Sequence, residues 1–278
     1  MLDRLVRSTR SRLSSLGGHP RDAQSAGPAR LRFDEQPGAI YAIGDIHGRA
    51  DLFQLMEDHI LTDAQAFPGE KLIVCLGDMV DRGPSSAAVL DRVLVPLPPG
   101  FKRLCLMGNH EAMMLAFLNR PDGRSPWLSL GGMETLRSYG VPPEQFDSSR
   151  IPDRKQMQQV VAAYVPEEHR SFLDGLPVLI DTPRATLVHA GLKPGIAIER
   201  QNIDDLLMFR DGLRSDYREF GKLVVHGHTR TADALLTEFR AAVDTGAYET
   251  GTLTAVRILN TGEAKLMSVS AEPAFPAG

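Results

Sequence analysis

Residues 71–83 read Lys-Leu-Ile-Val-Cys-Leu-Gly-Asp-Met-Val-Asp-Arg-Gly, a short apolar run closed by a glycine and followed by two acids and an arginine. A run this short, rich in β-formers and stopped by glycine, predicts a buried strand (71–76) that ends in a loop. The same device precedes and follows it. Ala39–Ile43 runs into Gly44-Asp45-Ile46-His47-Gly48, and 103–107 runs into Gly108-Asn109-His110-Glu111. Between these blocks the apolar spacing is helical, through Leu52, Leu55, Met56 and His59 in 49–61, and again in 85–95 and 111–118. Repeated strand–helix units of about 30 residues predict parallel strands joined by crossover helices.

Working outward, a helical stretch is expected over about 127–175. Strands then follow at 176–181, 184–188, 222–226, 235–244, 253–258 and 264–268, spaced closely enough to suggest antiparallel hairpins. This gives a mixed α/β body in a single domain, 31–270, with a helical insert. It is flanked by a basic tail, 1–30, and a short C-terminal tail, 271–278. The tail carries six arginines against Asp3 and Asp22. Leu2, Leu5, Val6, Leu13 and Leu16 would mark one amphipathic helix there. Its Arg/Ser-rich, acid-poor character resembles a transit peptide, but a solvated tail is the favoured reading.

Composition narrows the class. Apolar residues are 42% and charged residues 24% of the 278, which fits a globular protein and excludes wholesale disorder. No apolar run reaches the ~18 residues of a membrane span. The net charge of −4, with the basic tail subtracted, leaves an acidic body, which argues against nucleic acid as a partner. Cys75 and Cys105 are the two cysteines, too few for a disulfide framework, so a cytoplasmic location is expected. Oligomeric state is left open by the sequence.

In an α/β sheet, ligands gather outside the carboxyl ends of the strands. Three such ends deliver Asp45, His47, Asp78, Asn109 and His110 to one rim. Two later strands add His189, before Ala190-Gly191, and His226-Gly227-His228-Thr229. Mixed oxygen and imidazole donors suit Mn²⁺, Fe or Zn²⁺. Six ligands exceed the need of one metal. They fit two divalent ions that share a carboxylate, an arrangement used for in-line attack at phosphorus.

These five blocks, in this order, resemble the phosphoprotein-phosphatase branch of the binuclear metallophosphoesterases, near the bacterial and phage serine/threonine phosphatases. The likeness extends over about 39–258 and includes the stretches 127–140, 206–210 and 244–248. It implies a β-sandwich of two mixed sheets flanked by helices. It further implies that Asp45, His47 and a bridging Asp78 hold one metal, and that Asp78, Asn109, His189 and His228 hold the other, with Mn²⁺ the first expectation. A bridging hydroxide would attack phosphorus, Arg82, Arg210 and Asn109 would hold the phosphate, and His110, oriented by Asp81, would protonate the leaving oxygen. The implied partner is a phosphorylated protein or peptide, or a small phosphoester.

Leu130 and Met208 depart from the related bacterial sequences, which usually carry Asn and Trp there, and both fall near the expected substrate rim. A symmetrical dinucleoside polyphosphate hydrolase is the alternative. Asp81, Glu111 and Thr229 favour the phosphatase branch over it. A nuclease is disfavoured by Arg230, which stands where a further histidine would be expected. A catalytically dead binding module would need a broken ligand, and every ligand is present. Taken singly, Asp45, Asp78 and Asn109 could be mere turn or helix caps. His226, His59 and His169 read as structural histidines, Cys75 and Cys105 as core thiols, and Tyr248 as either a packing residue or a site residue.

Overall fold

The computed structural model describes residues 28–142, 154–211 and 214–272. The helix expected in the basic tail and most of the C-terminal tail lie outside these residues. The strands are β1 (Arg30–Arg32), β2 (Ala39–Ile43), β3 (Lys71–Cys75), β4 (Phe101–Cys105), β5 (Leu179–Asp181), β6 (Ala185–Val188), β7 (Leu223–His226), β8 (Leu235–Leu236), β9 (Arg240–Ala242), β10 (Thr252–Leu259) and β11 (Ala264–Ser270). They form two mixed sheets, ordered β11-β10-β2-β3-β4 and β1-β5-β6-β7-β9-β8.

Strand β2 is buried along its whole length, and its alternate residues serve two different layers. Ile40 and Ala42 join Leu72, Val74, Ile180, Leu187, Val225 and Ala241 in the core between the sheets. Tyr41 and Ile43 face the other way, with Ile73 and Cys75, and meet Leu52, Phe53, Met56 and Ile60 of the helix Ala50–Asp63. Helices Ser86–Leu94 and Asn109–Asn119 complete that outer layer. Both faces of the strand are thus covered, which is why its sequence is continuously apolar.

The parallel triplet β2-β3-β4 follows the expectation, in flush register: Ile43 pairs with Cys75, and Cys75 with Cys105. The three loops therefore leave the sheet at one level. The hairpin expectation holds for β5-β6, β8-β9 and β10-β11 but fails for β7, which runs parallel to both β6 and β9. The long connection from β6 to β7, which includes the helix Ile203–Met208, is what a parallel return requires. The strand expected at 235–244 is two short strands joined by a turn, with the Thr237 N–H donating to the Arg240 carbonyl at 2.8 Å.

Strand β1 was not foreseen. Arg30, assigned to the tail, pairs with Leu179, and its guanidinium donates to the carbonyls of Ile198, Glu199 and Gln201. The helical insert comprises Leu128–Gly132 in a wide turn and the helices Met133–Ser138, Arg154–Tyr164 and Glu167–Asp174. No helix among the described residues is long and apolar enough to cross a membrane.

Candidate metal centre and phosphate site

Both sheets point the carboxyl ends of their parallel strands at the same rim. Asp78, just past β3, is the centre of what gathers there. His47 Nε2 lies 3.5 Å from Asp78 Oδ2, His110 Nε2 3.9 Å from the same oxygen, and His189 Nε2 3.3 Å from Oδ1. Two tight groups result, His47–Asp78–His110 and Asp78–His189–His228, and all five residues are buried.

The imidazoles are turned for coordination by backbone carbonyls. His47 Nδ1–H donates to Val80 O at 2.8 Å, and His189 Nδ1–H donates to Leu76 O at 3.0 Å. That leaves each Nε2 as a lone pair facing the centre. Burial lowers His47 to about 3 and also lowers His189, while burial and the neighbouring His189 lower His228 to about 3. Neutral His189 Nε2 therefore meets Asn109 Oδ1 at 3.0 Å and Asp78 Oδ1 at 3.3 Å, acceptor against acceptor. A cation satisfies all three at once, so the donor set fits divalent metal.

Asp45 belongs to neither tight group. Its carboxylate accepts the His228 N–H at 3.1 and 3.2 Å. Burial, then Asp244, then Asp78 raise its pKa, and burial together with Asp78 raises that of Asp244.

His110 is flanked by two partners. Its Nδ1–H donates to Asp81 Oδ2 at 2.7 Å, and Arg82 Nη2 donates to its Nε2 at 3.1 Å. Burial pulls His110 down, but the Asp81 hydrogen bond and the charges of Asp78 and Asp81 outweigh it and leave the ring above its ordinary pKa. Arg82 also lies over the Tyr248 ring, 5.1 Å from its centroid, and the same ring meets His47 edge-on at 5.4 Å. Tyr248 is therefore a wall of the site. Across the rim, Arg210 Nε donates to His228 Nε2 at 3.0 Å. Leu130 and Met208 are both exposed, 49% and 57%.

The loops hold a strained backbone. Among the described residues, six non-glycines have positive φ, and five of them are His47, Asp78, Asp81, Arg82 and His228. Such conformations persist only where the surroundings over-determine them. Glu111 supplies part of that support: its two carboxylate oxygens accept the N–H groups of Asp78, Met79, Val80 and Gly108. Burial and the nearby Asp78 charge still push it up to about 7.

Sequence reasoning gave Glu111 only as a branch marker and did not single out Asp244, Trp127 or Thr135. The indole N–H of Trp127 and the hydroxyl of Thr135 both end on Asp81. The signal available was the stretch 127–140, noted as family-like but assigned no chemistry. His226 is structural as expected: its Nε2 accepts from Arg240 Nε at 2.9 Å. His169 bridges Tyr139 and Asp91, and both cysteines are buried.

Residues 38–251 match the family of calcineurin-like phosphoesterases. Serine/threonine-protein phosphatase 2 of Escherichia coli is 39% identical over 93 residues, which cover 34% of this chain and 38% of that one. An asymmetrical bis(5'-nucleosyl)-tetraphosphatase, PrpE, of Anoxybacillus flavithermus is 25% identical over 235 residues, 77% of this chain and 88% of that one. Among solved structures, a protein proposed to be a diadenosine tetraphosphatase superposes with a TM-score of 0.61 at 20% identity, covering 88% of this chain and 99% of its own. With five motif blocks at one rim and a family match over most of its length, this chain belongs to the calcineurin-like phosphoesterases, metal-dependent hydrolases of phosphoesters.

Proposed function

We propose that the protein is a phosphomonoesterase acting on phosphoserine or phosphothreonine in a protein or peptide. The observation that carries this reading is the Asp81–His110 pair beside the ligand cluster, with its 2.7 Å hydrogen bond. A serine alkoxide is a strong base and a poor leaving group, so it needs a proton in the transition state. A nucleoside polyphosphate is a far weaker base and needs much less help.

In this reading Asp45, His47, Asp78, Asn109, His189 and His228 would hold two divalent ions, Mn²⁺ being the first expectation. Such ions supply positive charge to phosphoryl oxygens and acidify water. The chain does the rest. Arg82 and Arg210 each rest on an imidazole nitrogen, that of His110 and that of His228. A phosphate dianion is a much stronger partner than a neutral imidazole, so its arrival draws both guanidiniums onto its oxygens. That movement frees His110 Nε2 to carry the proton that the leaving oxygen receives. Asp81 holds the ring by Nδ1 throughout.

A second reading, hydrolysis of dinucleoside tetraphosphates, is favoured by the relative that matches over 88% of its own length. The test is a substrate panel on the Mn²⁺-reconstituted protein: phosphoserine and phosphothreonine peptides, symmetrical and asymmetrical cleavage of diadenosine tetraphosphate, cyclic nucleotides and an aryl phosphate. The phosphatase reading expects phosphopeptides to have the highest kcat/KM. A tenfold preference for the tetraphosphate would replace it with the second reading.

A further inference from the structure

We propose that Trp127 and Thr135, both from the helical insert, are positioning residues that fix the Asp81–His110 pair for proton delivery. The proposal rests on the general-acid reading of His110 given above. Asp81 is fully buried. Its Oδ2 accepts two donors at once, His110 Nδ1–H and Trp127 Nε1–H, each at 2.7 Å. Its Oδ1 accepts the Thr135 hydroxyl at 2.7 Å. The Asp81 N–H is directed at Thr135 Oγ1 at 2.9 Å and Ser86 Oγ at 3.0 Å.

The geometry assigns each donor a task. A carboxylate oxygen offers two lone-pair directions, and on Oδ2 the indole takes one of them. The imidazole is left with the other, which sets its position on that oxygen and so where its far nitrogen points. Thr135 holds the opposite oxygen and prevents the carboxylate from turning about its own axis. Asp81 stands in a left-handed conformation, φ 71, which the Thr135 and Ser86 hydroxyls on its N–H help to hold.

Packing alone does not account for the indole. Its ring is held by Phe117, with centroids 4.7 Å apart, and by close approach to Gly132. The indole atoms that face Gly132 belong to its fused six-membered ring, so packing asks for a large ring there but not for a polar one. The N–H donor is the feature packing does not require, and it ends on the oxygen His110 uses. The insert is therefore tied into the catalytic pair through a polar contact rather than laid over it.

The test uses the full-length chain with three changes. Trp127→Phe deletes the N–H and keeps a ring. Gly132→Ala keeps the indole but crowds it: a Cβ there would stand 2.5–2.8 Å from three indole atoms, on an ordinary helical backbone. Thr135→Val deletes the hydroxyl, with Thr135→Ser as the conservative rescue. On the Mn²⁺-loaded protein, Trp127→Phe should lower kcat on a phosphoserine peptide about 10–100-fold with KM little changed, and lower an aryl phosphate clearly less. In a His110→Asn background it should cost nothing further. Gly132→Ala and Thr135→Val should follow the same pattern, and Thr135→Ser should restore most of the rate.

A second readout needs no turnover. In the metal-free protein labelled with ¹⁵N-histidine, the His110 Nδ1–H resonance, identified by its loss in His110→Asn, should broaden or move upfield in Trp127→Phe and persist in Thr135→Ser. An unchanged resonance, equal losses on alkyl and aryl substrates, or full additivity with His110→Asn would overturn the proposal. If the wild type turns over no phosphopeptide, the phosphatase reading fails, and the resonance alone still decides whether Trp127 positions the ring.

Discussion

Gly131 sits where the insert meets the catalytic turn, and adding a single methyl there has a calculable effect. Its backbone has φ +117 and ψ −3, a conformation L side chains rarely adopt, and its carbonyl accepts the Arg82 N–H. In Gly131→Ala the new Cβ would lie 2.6 Å from Arg82 N, 2.9 Å from Asp81 Cβ and 3.0 Å from Arg82 Cγ. The backbone conformation costs about 1–3 kcal/mol for a non-glycine residue. Crowding against the Arg82 backbone nitrogen and the Asp81 Cβ, neither of which can swing away, adds about 1–3 kcal/mol. The expected destabilisation is therefore about 2–6 kcal/mol, measured by urea unfolding of the metal-free chain. Because the turn carries both Asp81 and Arg82, turnover of an aryl phosphate should also fall at least about tenfold at temperatures where the variant is folded, the scale of a misplaced catalytic contact. A loss below about 1 kcal/mol with unchanged turnover would mean that the insert does not press on the Asp81–Arg82 turn, and the reasoning would be wrong.

Three further outcomes are expected. Asp78→Asn removes the charge common to both ligand groups, so elemental analysis should find fewer than two ions per chain under conditions that saturate the wild type. Arg210→Ala should cost roughly 2–4 kcal/mol in kcat/KM on small phosphoesters, the range for a lost preorganised charge contact, and activity within twofold of wild type would remove Arg210 from the site. Asp211 is held down to about 2: burial opposes its charge, but hydrogen bonds from Ser215 and the Arg240 guanidinium outweigh it. Its folded pKa thus lies below the unfolded value, so the stability it contributes is present above about pH 4 and lost as pH falls through about 2. The stability gap between wild type and Asp211→Asn should be full at pH 7 and close over that acid window, and a gap independent of pH would contradict the ion pair.

The central strands were legible because burial on both faces leaves few alternatives to a continuous apolar run, and β2 and β3 fall where they were expected, β3 to within a residue. The ligand cluster was legible for a related reason: glycine-punctuated loops at strand ends are short, and short loops leave little freedom in where their acids and histidines go. Three things were hidden. Strand β1 has only three residues, and its arginine-rich sequence looks like its solvated neighbours. The direction of β7 depends on the path of a long connection that local pattern does not encode. Trp127 and Thr135 lie 46 and 54 residues from Asp81 in sequence, and nothing about an isolated Trp or Thr says which carboxylate it will reach. Asp45 reaches the rim where it was expected, but its contact with the His228 N–H depends on side-chain turns no sequence states.

Trp127 is the chain's single tryptophan, is almost fully buried, and is bonded to the residue that orients the proposed acid. The protein therefore carries an optical label at its working corner, with no competing indole elsewhere. Emission excited at the red edge of the indole band reports on that corner alone, whereas far-ultraviolet dichroism averages over both sheets. In a protein that unfolds in one cooperative step the two signals share a midpoint. Any gap between them measures how far the insert comes away from the catalytic turn before the sandwich itself gives way.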